Sequence, residues 1–495
     1  MKAMKVILAG YNVDSTVIEE LKKFSPPRGD ITPETLSASY ARISRDPRSV
    51  NELRAVARAE VEKARRSNQN IIFKMGHHSV AEHAVFNFDI IGVSRLALEE
   101  IEKFRLCSYT EKSQRYISLK DDFIIPEEIK KTGKQEIFIN TIKAQNASYH
   151  KLYKRLRPYI FEKNKDLAEN PKKHSILDGW AKEDARYVVS LATEGQLGMT
   201  VNARNLEFLI RRFASKKLAE LRELNLKIYD LAKEVTPSII LFTEANDFDS
   251  KTYEELEERA ESFLIPGVKG GDILVRLVDF TQKADTRLVA TLLHTSSYFP
   301  FEECYRRAGC LSHKEKRELI KAACRHMEFY DSVLREFEYI DLTFDLIISA
   351  TCFAQLKRHR MATLTAQKYN PELGVTIPPS VEEIGAREEF IEIIEKTNDV
   401  YSFLKEDLDI GAEYVLTNAH RKRVLLNVNA RELYHISRLR EDATAQWDIR
   451  DVSRKMSVLA KENMPLTCLL IGGKDAYPGI YENVFGKKPK LVPPE

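Results

Sequence analysis

Residues 85–118, VFNFDIIGVSRLALEEIEKFRLCSYTEKSQRYIS, and residues 339–372, YIDLTFDLIISATCFAQLKRHRMATLTAQKYNPE, are two versions of one pattern. Each opens on an alternating apolar run, which predicts a strand with one buried face, and continues into a helix. Each then reaches basic residues and a polar loop that ends in tyrosine. A second pair follows. Residues 183–212, EDARYVVSLATEGQLGMTVNARNLEFLIRR, and 411–440, GAEYVLTNAHRKRVLLNVNARELYHISRLR, share VNAR and the basic end of the next helix. Two matched pairs in the same order indicate that one domain occurs twice. The extra length of copy one falls most simply in its charged helical stretch between residues 127 and 175. KVILAGYN near the start predicts another strand, and Leu53, Val56, Ala57 and Val61 predict one amphipathic helix from Val50 to Asn68. An acidic cluster followed by Pro-Gly and Gly-Gly marks the connection. The resulting division is copy one at 1–245, a linker at 246–270, copy two at 271–480 and a tail at 481–495.

The 495 residues allow two to four domains of ordinary size. Hydrophobic residues make up 43% and charged residues 31%, with a net charge of +3, which excludes a disordered chain and a dedicated polyelectrolyte binder. Near-neutral net charge and the absence of an aromatic stacking motif argue against nucleic-acid binding through basic clusters such as Arg421, Lys422 and Arg423. No apolar run reaches the roughly 18 residues that span a bilayer, and Asp345 interrupts the longest. The apolar stretch at the amino terminus is too short for a secretory signal, and a cytoplasmic location is expected. The six cysteines are far apart, without C-x-x-C pairs or zinc spacing, so no metal is expected and buried reduced thiols are.

The polar residues suggest anion binding. Arg358, His359 and Arg360 follow the helix that bears Cys352, Gln355 and Leu356, and guanidinium forks there could hold phosphate oxygens. A solvated helix end has the same composition. In copy one, Ser108, Glu111, Ser113, Gln114 and Arg115 form a polar loop able to wrap a second phosphate, or simply a capped turn. His77, His78, Ser79, Glu82 and His83 cluster without forming H-E-x-x-H. On an ideal helix Arg431, His435 and Arg438 share one stripe, and Arg440, Thr444 and Trp447 share the opposite one, so residues 440–450 are expected to be helical.

These segments resemble the flavin-dependent thymidylate synthases, whose signature runs Arg-His-Arg, two residues, Ser, two residues, Glu, one residue, Ser, one residue, Arg-Tyr. Copy one retains Arg105, Ser108, Glu111, Ser113, Arg115 and Tyr116 but has Lys103 and Phe104 for the first Arg and the His. Copy two retains the basic triplet but lacks the Glu and has Ala366 and Lys368 in the second half. The flanking segments GHHSVAEHAVFNFDIIGVSR and NARELYHISRLREDATAQWDIR are also similar to the family.

The resemblance implies an α+β fold in two tandem copies, each a small mixed or antiparallel sheet with packed helices. It implies FAD as cofactor, NADPH and methylenetetrahydrofolate as co-substrates, and conversion of dUMP to dTMP. Arg440 would be the catalytic group. Gln355, Arg358, Glu111, Ser113, Gln114, Arg115 and Arg186 would bind substrate. Arg358, His359, Arg360, Asn429, Arg431, His435, His77, Ser79 and Glu111 would contact the cofactor. Each copy keeps what the other has lost, with Glu100 in place of Gln355 and Glu413 in place of Arg186, so one composite site per chain is expected. A homodimer imitating the family's tetramer would follow. The competing expectation is a duplicated relative that binds flavin or a pyrimidine nucleotide with another substrate or without turnover.

Overall fold

A computed structural model of the chain describes residues 3–23, 31–42, 46–74, 76–113, 119–264, 273–408 and 410–490. Among the described residues, two four-stranded antiparallel sheets are set among a larger number of helices. In the first, β1 (Lys5–Tyr11), β2 (Val85–Ser94), β3 (Ser108–Glu111) and β4 (Glu194–Asn202) lie in the order β1-β2-β4-β3. In the second, β5 (Val275–Phe280), β6 (Asp341–Ser349), β7 (Thr363–Ala366) and β8 (Arg421–Asn429) lie in the order β5-β6-β8-β7. The same order in both copies is the topology of one α+β domain duplicated in tandem.

The alternation in β2 buries Phe86, Phe88 and Ile90 and exposes Asn87 and Asp89. Its register against β4 slips between Ile91 and Val93, at Gly92, whose φ of +73° suits glycine and whose missing side chain lets Ala3 and Met4 approach. In β6 the corresponding residue is Ile347, and the pairing with β8 continues to Ser349 without a slip.

Both strands end in a buried serine that caps the next helix. Ser94 Oγ accepts from Ala97 N (3.0 Å) at the start of helix Arg95–Ile101, and Ser349 Oγ accepts from Cys352 N (3.0 Å) at the start of helix Ala350–Leu356. Each hydroxyl also donates to a buried carboxylate, Glu220 in copy one (2.7 Å) and Asp448 in copy two (2.6 Å). This cap sets where each helix begins, and so where its last turn delivers the basic residues.

The chain condenses into two compact units, Met1–Lys269 with Glu383–Thr417, and Gly270–Glu382 with Asn418–Glu495. A segment of the second copy's sequence therefore completes the first unit. Its helix Arg387–Lys405 contributes Val400 and Leu404 to a core with Phe138 and Ile142 of helix Gln135–Lys163. The buried Gln145 amide donates to Thr397 Oγ1 (2.9 Å) and to the Val415 carbonyl (2.8 Å). The main chain also joins at Leu191 N to Leu416 O (2.7 Å). Residue spacing within one repeat carries no signal for this exchange.

Other local expectations meet particular residues. The stretch Val50–Asn68 is two helices, Val50–Ala59 and Val61–Asn68, because Glu60 leaves the helical region at φ −127°, ψ 59°. Most of the stretch expected as a linker is helix Asp247–Phe263, begun by an Asn246–Asp249 capping box and tied by Arg211 and Arg212 to Asp249 (3.0 and 2.9 Å). Helix Tyr477–Phe485 buries Tyr477 and Tyr481 in the second core, so ordered structure runs past residue 480. Residues 440–450 are not one helix. Helix Ala430–Arg440 stops at Arg440, Asp442 accepts from Thr444 N (2.7 Å), and Gln446 caps a new helix, Trp447–Asn463. Thr444 thus lies in a turn and not on the stripe expected for it. Of the free cysteines, Cys310 is exposed and the other five are buried. Among the described residues, no helix is long and apolar enough to cross a membrane.

Candidate functional site

In the second unit, the last turn of helix Ala350–Leu356 meets the last turns of helix Ala430–Arg440. Arg440 Nε–H donates to His359 Nε2 (2.9 Å), and Arg440 Nη2 donates to the Gln355 carbonyl (3.2 Å). The Gln355 amide donates to Gln446 Oε1 (3.4 Å). His359 is 5% exposed, and its Nδ1 lies 3.3 Å from Glu432 Oε1, long for a hydrogen bond. His435 approaches edge-on, with ring centroids 5.7 Å apart. An imidazole nitrogen that accepts cannot also carry the proton, so this geometry assigns the neutral Nδ1–H tautomer to His359. Burial holds its pKa below the usual imidazole value, with the Arg440 charge adding to the effect and Glu432 opposing it.

One ligand atom each from His359, Glu432 and His435 lies within 4.8 Å of the others, a spacing able to hold a cation. The hydrogen bond from Arg440 works against that, because it leaves the proton on the His359 nitrogen that a cation would need.

The remaining expected residues of this half divide by what they touch. Arg358 and Arg360 are exposed at the helix end, where their forks suit phosphate oxygens. Asn429 caps its own helix by accepting from Glu432 N (2.8 Å). Arg431 donates to the Val333 carbonyl (2.9 Å) and pairs with Glu338 (3.0 Å). In the first unit, His77 and Ser79 are exposed at the 3-10 turn His78–His83.

The first unit holds a partly open cavity that brings together three of the expected substrate residues, Glu111, Ser113 and Arg186. Gln114 and Arg115 lie outside the described residues. Glu111 ends β3, and Arg186 follows helix His174–Ala185. Arg95, which the sequence reading missed, lines the same cavity, and its Nη1 lies 3.3 Å from Glu111 Oε1 with both side chains nearly buried. The available signal was an arginine directly after the capping serine, where copy two has Ala350. Arg95, Lys112, Lys120 and Arg186 share its wall with Glu111, Asp122 and Glu194, so the cavity is lined by both signs of charge.

The matched positions of copy one are chemically unlike those of copy two. Phe104, Phe208 and Phe213 stand where copy two has His359, His435 and Arg440, and Phe104 packs edge-on against Phe208 (5.7 Å) and Phe213 (5.6 Å). At the positions of Gln355 and Arg358, Glu100 pairs with Lys103 and with Lys216 (2.8 Å). Burial alone would raise the Glu100 pKa, but the two lysines pull it down to about 2. An aromatic cluster and a self-neutralised ion pair replace His359, Arg440 and Arg358 here, and Arg105 remains as the counterpart of Arg360.

Fold and side chains together define a duplicated α+β protein whose copies differ at matched positions, with a guanidinium–imidazole helix end in one and a cavity lined by charged side chains in the other. The profile of the family described as thymidylate synthase complementing protein matches twice, over residues 30–238 and 276–466. The chain belongs to that family, the flavin-dependent thymidylate synthases, as a tandem duplication. A flavin-dependent thymidylate synthase of Clostridium tetani is 31% identical over 43% of this chain and 82% of its own length. A UPF0159 protein of Thermoplasma acidophilum is 25% identical over 85% of this chain and 91% of its own, and a UPF0159 protein of Chlamydia pneumoniae is 23% identical over 80% and 78%.

Proposed function

We propose that the protein makes dTMP from dUMP with methylenetetrahydrofolate and NADPH as a flavin-dependent thymidylate synthase, each active site drawing complementary halves from the two copies. The observation that carries this reading is the reciprocal pattern of retention. Copy two keeps Gln355, Arg358 and Arg440 where copy one has Glu100, Lys103 and Phe213, and copy one keeps Glu111 and Arg186 where copy two lacks the Glu and has Glu413. A carboxylate in place of Arg186 would repel a nucleotide phosphate. Independent decay would strike the same half twice as readily as opposite halves.

The donor chemistry fits FAD in part. Arg358 and Arg360, exposed at the helix end, suit its pyrophosphate; Asn429 caps its own helix and Arg431 pairs with Glu338. When bound, the flavin supplies hydride chemistry. Arg440 places a guanidinium to stabilise negative charge developing on the pyrimidine, so that no cysteine nucleophile is required. Ser113, Gln114, Arg115 and Arg186 hold the nucleotide phosphate, and Glu111 and Gln355 orient the nucleotide.

A second reading, flavin or nucleotide binding with another substrate or without turnover, is favoured by two observations. The relatives named above that match along most of this chain carry only the UPF0159 name, and His435 stands where the resemblance implies an Asn. Purified protein should show a flavin spectrum that shifts when dUMP is added, and should form dTMP. Flavin without a spectral response or product would favour the second reading.

A further inference from the structure

Glu432, which no part of the functional reading uses, is 7% exposed on helix Ala430–Arg440 and faces the buried His359 ring. The opposite ring nitrogen accepts from Arg440. The three side chains differ in character: an acceptor carboxylate, a ring that accepts at Nε2 and whose buried Nδ1 faces that carboxylate at 3.3 Å without a hydrogen-bond partner, and a donor guanidinium. The duplication provides an internal control. Where copy two has Glu432, His359 and Arg440, copy one has Asn205, Phe104 and Phe213, so the three are present together in one copy and absent together in the other. A side chain that served only to pack its helix would have no reason to change with the other two.

We infer that Glu432 is a positioning residue that acts through His359: it holds the ring with Nδ1–H toward itself, so that Nε2 is presented to Arg440 and fixes the direction of that guanidinium. A long, flexible arginine delivers charge to one point only if its orientation is fixed in advance, and the His359 bond to Nε together with the Gln355 carbonyl bond to Nη2 fixes two of its nitrogens. Burial serves the same end by keeping the ring neutral, since an imidazolium would present an N–H to Arg440 in place of a lone pair.

The inference rests on the proposed role of Arg440 only for its catalytic consequence, so the test has two readouts. In the full chain labelled with 15N-histidine, the ring signals of His359 are identified by their loss in His359→Gln. They should report a neutral ring protonated at Nδ1 at pH 7. In Glu432→Ala the preference should weaken, with the Nε2–H form becoming populated, and Glu432→Gln, whose amide oxygen still accepts, should restore it. A wild-type ring protonated at Nε2, or a preference unchanged in Glu432→Ala, would overturn the inference whether or not the protein turns over. With dUMP as substrate, Glu432→Ala should lower kcat roughly 10- to 100-fold with little change in KM, and Glu432→Gln should recover most of it. Equal losses in both variants would also count against it. Wild-type protein that fails to form dTMP would sink the synthase reading and leave the ring measurement to decide this one.

Discussion

The ends of the two matched helices carry opposite chemistry on the same topology. After Ser349 the helix delivers a buried imidazole to a guanidinium and a carboxylate; after Ser94 it delivers a phenyl ring to two others. The ring spacing is nearly conserved, 5.7 Å between His359 and His435 and 5.7 Å between Phe104 and Phe208. The fold therefore needs planar groups of similar size at these positions but does not need them to be polar. The polar set is the costlier one, because each buried donor and acceptor must be matched. Its presence in one copy is thus better explained by chemistry than by packing.

Cutting the chain between its copies should have the largest effect. Residues 1–264 alone would lack Glu383–Thr417 and leave the apolar face of helix Gln135–Lys163 and the Gln145 amide without partners. This fragment should fail to give a cooperative melt by circular dichroism, and co-expression with residues 273–490 should restore one. A fragment that folds cooperatively alone would show the copies to be more independent than the units imply.

Next in size is Arg440→Ala, which should lower dTMP formation by about 100- to 1,000-fold, the usual cost of removing a donor aimed at developing charge. Phe213→Leu at the matched position should leave turnover intact, and steady-state assays of both variants would check the contrast. Comparable losses would remove the functional distinction between the copies.

Phe213 is fully buried, so Phe213→Ala should cost about 3–5 kcal/mol in denaturant unfolding, through lost transfer energy and a cavity. A cost below about 1 kcal/mol would mean that the aromatic cluster does not support the core.

The smallest effect concerns Glu100. Its carboxyl is held at about 2 in the folded state, below the usual glutamate range, so its ion pairs contribute stability above the unfolded pKa and lose it as pH falls from about 5 towards 2. Glu100→Gln should flatten the acid limb of the stability profile by on the order of 1–3 kcal/mol. An unchanged acid limb would show that Lys103 and Lys216 do not hold this carboxylate ionised.

Much of this was legible because it is periodic or local. Alternation placed β2 and β6, and the VNAR asparagines cap helices as their position before a helical stretch implies. What escaped was tertiary or comparative. The Asp442–Thr444 turn interrupts a pattern that apolar spacing alone continues through. Helix Arg387–Lys405 looks like an ordinary amphipathic helix of copy two, and only its partners Phe138, Ile142 and Gln145 show which unit it completes. For the site, motif matching found His359 and Arg440 but passed over Glu432 and Arg95, since neither belongs to a signature and each gains meaning from the side chain it faces.

The most direct measurement is the number of dUMP molecules bound per chain by the flavin-loaded protein, obtained by equilibrium dialysis at saturating nucleotide. Complementary halves give one per chain, abolished by Arg358→Ala and by Arg115→Ala alike. Two per chain, or binding that survives either substitution, would contradict a single site assembled from unlike copies.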